Sequence, residues 1–174
     1  RVVSLTHMSN VTGTVLPIAE IARMCRKRGI PLVVDGSQAS VHLPVDVTAL
    51  GVDFYCATGH KLYGPTGIGV LYGKREWLEK LPPYEGGGEM IKSVSEDSIS
   101  YGAPPHRFEA GTPAIIEAVG LGAALDYMMG LDREAIAAHE AEVGAYAMQR
   151  LSEMNSIRIF GDAPGKGAIV SFEM

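Results

Sequence analysis

Short apolar runs alternating with helical periods predict an α/β fold: a mostly parallel sheet with flanking helices, followed by the start of a smaller α+β domain. Three observations carry that expectation. The runs at residues 2–5, 31–34 and 53–57 are nearly continuous in apolar character, as strands buried on both faces are. An amphipathic segment of helical length separates the first two. The 174 residues are 47% hydrophobic and 20% charged, enough apolar material for a real core.

Each element has a local reason. Residues 17–29 read as a helix, with Pro17 in its first turn, Ile18, Ile21, Ala22 and Cys25 as its apolar stripe and Gly29 as its stop. The strand at 31–34 runs into Asp35-Gly36, and the strand at 53–57 into Thr58-Gly59-His60-Lys61. A fourth strand covers 67–72, with a short helix at 74–80. From 82 to 105 the pattern dissolves into Gly, Pro and Ser, including Gly86-Gly87-Gly88. A loop of that length in a compact protein is functional or interfacial. Two helices follow, at 114–129 and 132–154. The second has Asp132 as N-cap and is expected to gather Ile136, His139, Val143, Tyr146, Ala147, Arg150 and Leu151 near one face. Strand-like runs at 157–160 and 168–172 close the chain as a hairpin or meander. A boundary at 129–132 divides the chain into a domain of residues 1–129 and the beginning of a second, 130–174. There is no internal repeat.

Twenty acidic residues against 15 Lys and Arg give a net charge of −5, which argues against a nucleic-acid or anionic-membrane binder. No apolar run approaches the roughly 20 residues of a membrane span, and no signal-peptide pattern opens the chain. The two cysteines, Cys25 and Cys56, suit a reducing compartment and read as small core residues. A soluble, cytoplasmic protein is the expectation. Because the chain begins and stops beside strand-like runs that need partners, it reads as a piece of a longer protein.

In open α/β sheets ligands sit beyond the carboxyl ends of the strands. Asp35 and Lys61 fall there. A lysine in a Gly-His-Lys turn at such an edge suits Schiff-base formation with a carbonyl cofactor, and a neighbouring aspartate suits a pyridinium nitrogen. Pyridoxal 5′-phosphate (PLP) has both groups, and Thr58 and His60 could serve its phosphate. Other readings stay open. Asp35-Gly36 is also an ordinary turn, and Lys61 an ordinary surface charge. Gly64, Gly67 and Gly69 precede a strand instead of linking strand to helix, so neither nucleotide fingerprint is met. Cys56 and His60 have no second pair to complete a metal site, and His42 and His139 read as solvated or capping residues.

The stretch Ala57-Thr58-Gly59-His60-Lys61-Leu62-Tyr63-Gly64-Pro65-Thr66-Gly67-Ile68-Gly69 resembles the PLP-lysine segment of the cysteine desulfurase / selenocysteine lyase family. That family lies within the class V aminotransferase group of PLP fold type I. His7-Met8-Ser9-Asn10, Val34-Asp35-Gly36-Ser37-Gln38-Ala39, Glu85-Gly86-Gly87-Gly88 and Arg107-Phe108-Glu109-Ala110-Gly111-Thr112-Pro113 resemble further family motifs, in family order. The likeness is closest to the SufS-type branch and covers residues 1–125 strongly.

The resemblance implies that 1–129 is part of the PLP-binding large domain and 130–174 the beginning of a C-terminal small domain. It implies Lys61 as the Schiff-base lysine and proton shuttle, and Asp35 on the pyridine nitrogen. Gln38 and Asn10 would serve the phenolic oxygen, Thr58 and His60 the phosphate, and Thr112 the phosphate of a partner subunit's cofactor in a homodimer. The implied activity is removal of sulfur or selenium from L-cysteine or L-selenocysteine, leaving alanine, for a sulfur-acceptor protein and iron–sulfur cluster assembly. The family's nucleophilic cysteine and substrate-binding arginine would follow Met174, and its ring-stacking histidine would precede Arg1. The chain alone would then lack activity. The alternatives are another class V enzyme (an aminotransferase, epimerase or kynureninase-like lyase) or an inert cofactor-domain fragment.

Overall fold

Four strands form the central sheet, side by side in chain order: β1 (Val3–Thr6), β2 (Leu32–Asp35), β3 (Phe54–Thr58) and β4 (Gly69–Gly73). The computed structural model describes every residue, Arg1–Met174. The first three strands are parallel and β4 returns antiparallel to β3, so the sheet is mostly parallel, as expected. Helix α1 (Ile18–Arg26) connects β1 to β2, and two short helices, α2 (Ala39–His42) and α3 (Val47–Leu50), lie between β2 and β3. A single 3₁₀ turn, Gly59–Lys61, follows β3 directly.

Side chains alternate along a strand, so register decides which residues share a face. Leu5, Val34, Tyr55 and Tyr72 are in register across the four strands. Against that row α1 places Ile18, Ala22 and Cys25, which with Leu32, Val34, Val52 and Tyr55 make the main core. Their spacing of four and three is one turn of helix each, which is why the stripe faces inward. Helix α5 (Ile115–Met129) adds a second cluster, Leu121 and Met128 on Leu62, with Ala57 and Ile68 packed beside it. The opposite row is Thr6, Asp35, Cys56 and Leu71. There Leu71 is 64% exposed, and Val70 beside it is 54% exposed. Burial on both faces therefore fails: the side that α1 covers holds the buried strand residues, while on the other side none is buried and Thr6, Asp35 and Leu71 are exposed.

One carboxylate braces the amino end of the sheet. Asp53 accepts from the Leu32 amide at 2.9 Å, the Lys74 ammonium at 2.7 Å and the Trp77 indole at 3.2 Å. Burial pushes its carboxyl pKa up, but the Lys74 and Leu32 bonds outweigh that and hold it below the ordinary value. On the covered face, Tyr55 hydroxyl and His7 Nδ1 hydrogen-bond at 2.9 Å with both residues buried. Gly36 lies against that ring: a Cβ there would come within 2.0 Å of Tyr55 ring atoms.

Three expectations need correction. Residues 82–105 are not wholly irregular, since β5 (Ile91–Val94) and β6 (Ile99–Tyr101) pair as an antiparallel hairpin. Every side chain of β5 is exposed, so no apolar alternation marked it in the sequence. After the short helix α4 (Arg75–Leu78) and α5, helix α6 (Arg133–Ser152) is N-capped by Asp132, whose side chain accepts from the Ala135 amide. Its inward row is Ile136, Glu140, Gly144, Ala147 and Leu151, whereas His139, Val143, Tyr146 and Arg150 are exposed. Close approach sets that face: a Cβ on Gly144 would sit 3.2 Å from Ala168. The third concerns His42, which is neither solvated nor a cap. Finally β7 (Arg158–Phe160) and β8 (Ser171–Glu173) pair antiparallel.

Candidate functional site

The parallel strands β1, β2 and β3 end together, and the segments that leave them form one carboxyl edge. Six of the seven residues singled out from the sequence lie there. Asn10 is in the exposed turn after β1, closed by the Gly13 amide on the Ser9 carbonyl at 3.0 Å. Asp35 ends β2, Gln38 precedes α2, Thr58 ends β3, and His60 and Lys61 form the 3₁₀ turn. Thr112 stands apart, exposed before α5. Its neighbour Gly111 donates its amide to the Gly88 carbonyl at 3.1 Å, which ties that segment to the glycine-rich loop.

The turn that carries Lys61 is built from close backbone contacts. The Leu62 and Gly64 amides both reach the Gly59 carbonyl, at 2.9 and 3.0 Å. Gly59 admits no side chain, since a Cβ would lie 2.9 Å from Ile68 Cγ2 and 3.0 Å from the Ile68 carbonyl oxygen. Tyr63 sits in the left-handed region at φ 58°, a strained conformation for a bulky residue. Leu62 is buried and anchors the turn in the α5 cluster, leaving Lys61 half-buried beside it.

Lys61 Nζ donates to Gln38 Oε1 at 3.0 Å. The other end of that amide, Gln38 Nε2, meets His42 Nε2 at 2.9 Å, and His42 Nδ1 meets both carboxylate oxygens of Glu140 at 3.0 Å. Neither Lys61 nor Asp35 takes part in any of the four ion pairs of the molecule. Asp35 accepts from the Ser37 amide at 2.9 Å, and Cys56 Sγ lies 4.0 Å from the same carboxylate oxygen. Burial first, and then the negative charge of Asp35, pushes the Cys56 thiol pKa up. Thr58 Oγ1 and His60 Nδ1 hydrogen-bond at 2.8 Å on the exposed side of the turn.

Sequence reasoning brought together Asp35, Gln38, Thr58, His60 and Lys61 but missed His42, which touches Gln38, and Glu140, which touches His42. His42 is four residues after Gln38, and that one-turn spacing was the available signal. Glu140 lies 98 residues from His42, and no local pattern points to it.

Comparison with known proteins gives this edge a lineage. The family model described as aminotransferase class-V matches residues 1–174. A probable cysteine desulfurase of Xylella fastidiosa (strain 9a5c) is 52% identical over 172 residues, covering 99% of this chain and 41% of that protein. The crystal structure of the cysteine desulfurase CsdA from Escherichia coli superposes with a TM-score of 0.94 at 39% identity, over 99% of this chain and 43% of that one. A C-DES mutant with glycine covalently linked to its PLP cofactor superposes with a TM-score of 0.85 at 30% identity, over 99% of this chain and 46% of that one. The chain thus spans about two-fifths of the length of the curated relative it matches. With one family model running through every residue of the sheet, the Lys61 turn and the helices beyond them, this chain belongs to the class-V aminotransferase family.

Proposed function

We propose that this chain is the cofactor-carrying part of a PLP-dependent cysteine desulfurase, acting on L-cysteine or L-selenocysteine and leaving alanine. The observation that carries the reading is Lys61. It is a half-buried lysine in no ion pair, hydrogen-bonded to a neutral amide at the carboxyl edge of a parallel sheet, in a chain 52% identical to a protein named a probable cysteine desulfurase.

The donor set fits PLP. Schiff-base formation needs an amine that can lose its proton, and an amide acceptor does not trap the ammonium as a carboxylate would. Asp35 offers an exposed carboxylate with no cation bound to it, suited to a protonated ring nitrogen. Thr58 and His60 offer a hydroxyl and an imidazole to a phosphate, and Gln38 with Asn10 offers amide groups to a phenolic oxygen. When bound, PLP supplies an electron sink for the substrate's α-carbon. Lys61 Nζ would hold the cofactor and would move a proton at the substrate carbon. The Asp35 carboxylate would hold the proton on the ring nitrogen.

Neither cysteine of the chain suits the sulfur-accepting step. Cys25 is 7% exposed within the core, and the Cys56 thiol pKa is raised. In this reading that thiol belongs to a segment outside the 174 residues. Thr112 reaches the cofactor of a second copy in a homodimer, and a sulfur-acceptor protein in the cytoplasm takes the product onward to iron–sulfur cluster assembly.

The test uses the protein at the full length of its relatives, with PLP and L-cysteine. Alanine and protein-bound persulfide in equal amounts are the expected products. Pyruvate in place of alanine would assign the chain to an eliminating lyase of the same family, and transamination without sulfur release to an aminotransferase. No yellow absorbance with PLP would remove the cofactor reading altogether.

A further inference from the structure

We propose that His42 and Glu140 are a positioning pair for Lys61, acting through the amide of Gln38. The inference rests on Lys61 being the cofactor-attaching lysine.

The hydrogen-bond inventory of the four side chains leaves one arrangement. A lysine ammonium only donates, so the atom of Gln38 that meets Lys61 Nζ at 3.0 Å is the amide oxygen. The amide nitrogen then faces His42 Nε2 at 2.9 Å, and because an amide NH₂ only donates, that ring nitrogen carries no proton. The neutral imidazole therefore holds its proton on Nδ1, where the two carboxylate oxygens of Glu140 receive it at 3.0 Å. A carboxylate only accepts, so Glu140 selects this tautomer, the tautomer selects the orientation of the amide, and the amide oxygen faces Lys61. Remove the carboxylate and the ring can carry its proton on Nε2. The amide then turns, and its NH₂ meets an ammonium donor to donor.

The pair is also braced. His42 and Glu140 side chains are 23% and 33% exposed, so water competes for these bonds only in part. Arg133, at the start of α6, donates to the Val41 carbonyl at 2.8 Å, a second tie between α6 and the short helix that carries His42. Helix α6, which contributes nothing at the carboxyl edge itself, thus sets the orientation of a group in contact with the reactive lysine.

The experiment compares the full-length protein with its Glu140→Gln and Glu140→Leu variants. Histidine ¹⁵N NMR without cofactor reports the His42 tautomer. Borohydride trapping followed by mass spectrometry reports the rate at which Lys61 captures PLP. The Nδ1–H tautomer is expected in the parent and in Glu140→Gln, whose amide oxygen still accepts. In Glu140→Leu it is expected to be lost, with the rate of capture changed on the order of tenfold, the size of one lost hydrogen bond. A proton on Nε2 in the parent overturns the inference, as does a Glu140→Leu variant that keeps the tautomer or captures PLP at the parent's rate. If the parent traps no PLP on Lys61, the functional reading fails instead, and the tautomer series by itself decides whether Glu140 orients His42.

Discussion

Val34 and Asp35 are neighbours on one strand, yet they belong to two different parts of the molecule. Val34 is fully buried in the row that α1 covers, among Leu5, Tyr55 and Tyr72. Asp35 is exposed at the carboxyl edge, where no cation neutralises it. The covered face is apolar, tightly filled and intolerant of added volume. The edge is polar, partly solvated and assembled from loops that leave three strands at one level. The contrast teaches where substitutions should act: on the covered face through stability, at the edge through chemistry.

The sharpest test of that division is Lys61→Ala in the full-length protein. It should abolish covalent capture of PLP, read by borohydride reduction and mass spectrometry. The unfolding free energy should change by less than about 1 kcal/mol, since only one hydrogen bond is lost. Asp35→Ala should behave alike, slowing alanine release on the order of a hundredfold or more without unfolding the chain, because the ring nitrogen loses its partner. A large stability loss in either variant would mean that the edge is structural after all.

On the covered face the expected signs reverse. Gly36→Ala should cost on the order of 3 kcal/mol in denaturant unfolding, because its Cβ has no room beside the buried Tyr55 ring. Tyr55→Phe should cost about 1–2 kcal/mol by leaving His7 Nδ1 without its partner. Normal stability in both would show that this face repacks freely.

The smallest effect is a pH dependence. Burial holds the His7 pKa below its ordinary value of 6.5. The unfolded chain therefore takes up a proton at a higher pH than the folded one, so stability rises with pH across that interval. Its contribution is complete above about pH 6.5 and declines as pH falls from there toward the folded value. A His7→Gln variant should flatten this slope in denaturant titrations at pH 5 to 7. An unchanged slope would place the titrating group elsewhere.

Much of this architecture is legible in the sequence, and the reasons are local. Ile18, Ala22 and Cys25 declare the buried stripe of α1 by helical spacing, and Asp132 caps α6 as its position before the helix suggests. The positions of the strands along the chain and the turn carrying Lys61 follow from apolar runs ended by Asp35-Gly36 and Gly59-His60-Lys61. Where local pattern is weak, the reading failed. The exposed β5–β6 hairpin has no buried face to reveal it, and the inward face of α6 is set by Gly144 against Ala168, not by its larger apolar residues.

While Asn10 and Gln38 came from the family resemblance, the local pattern of the sequence by itself determined the α/β class, the edge positions of Asp35, Thr58 and His60, and the lysine on which the functional reading turns. Each of these depends on interactions within a few residues or on periodicity along one element. Tertiary structure decided which side chains stand opposite one another. Glu140 meets His42 across 98 residues, and His7 meets Tyr55 across 48. Contacts of that range are selected by how whole elements pack, and a single chain of letters carries no periodicity that marks them.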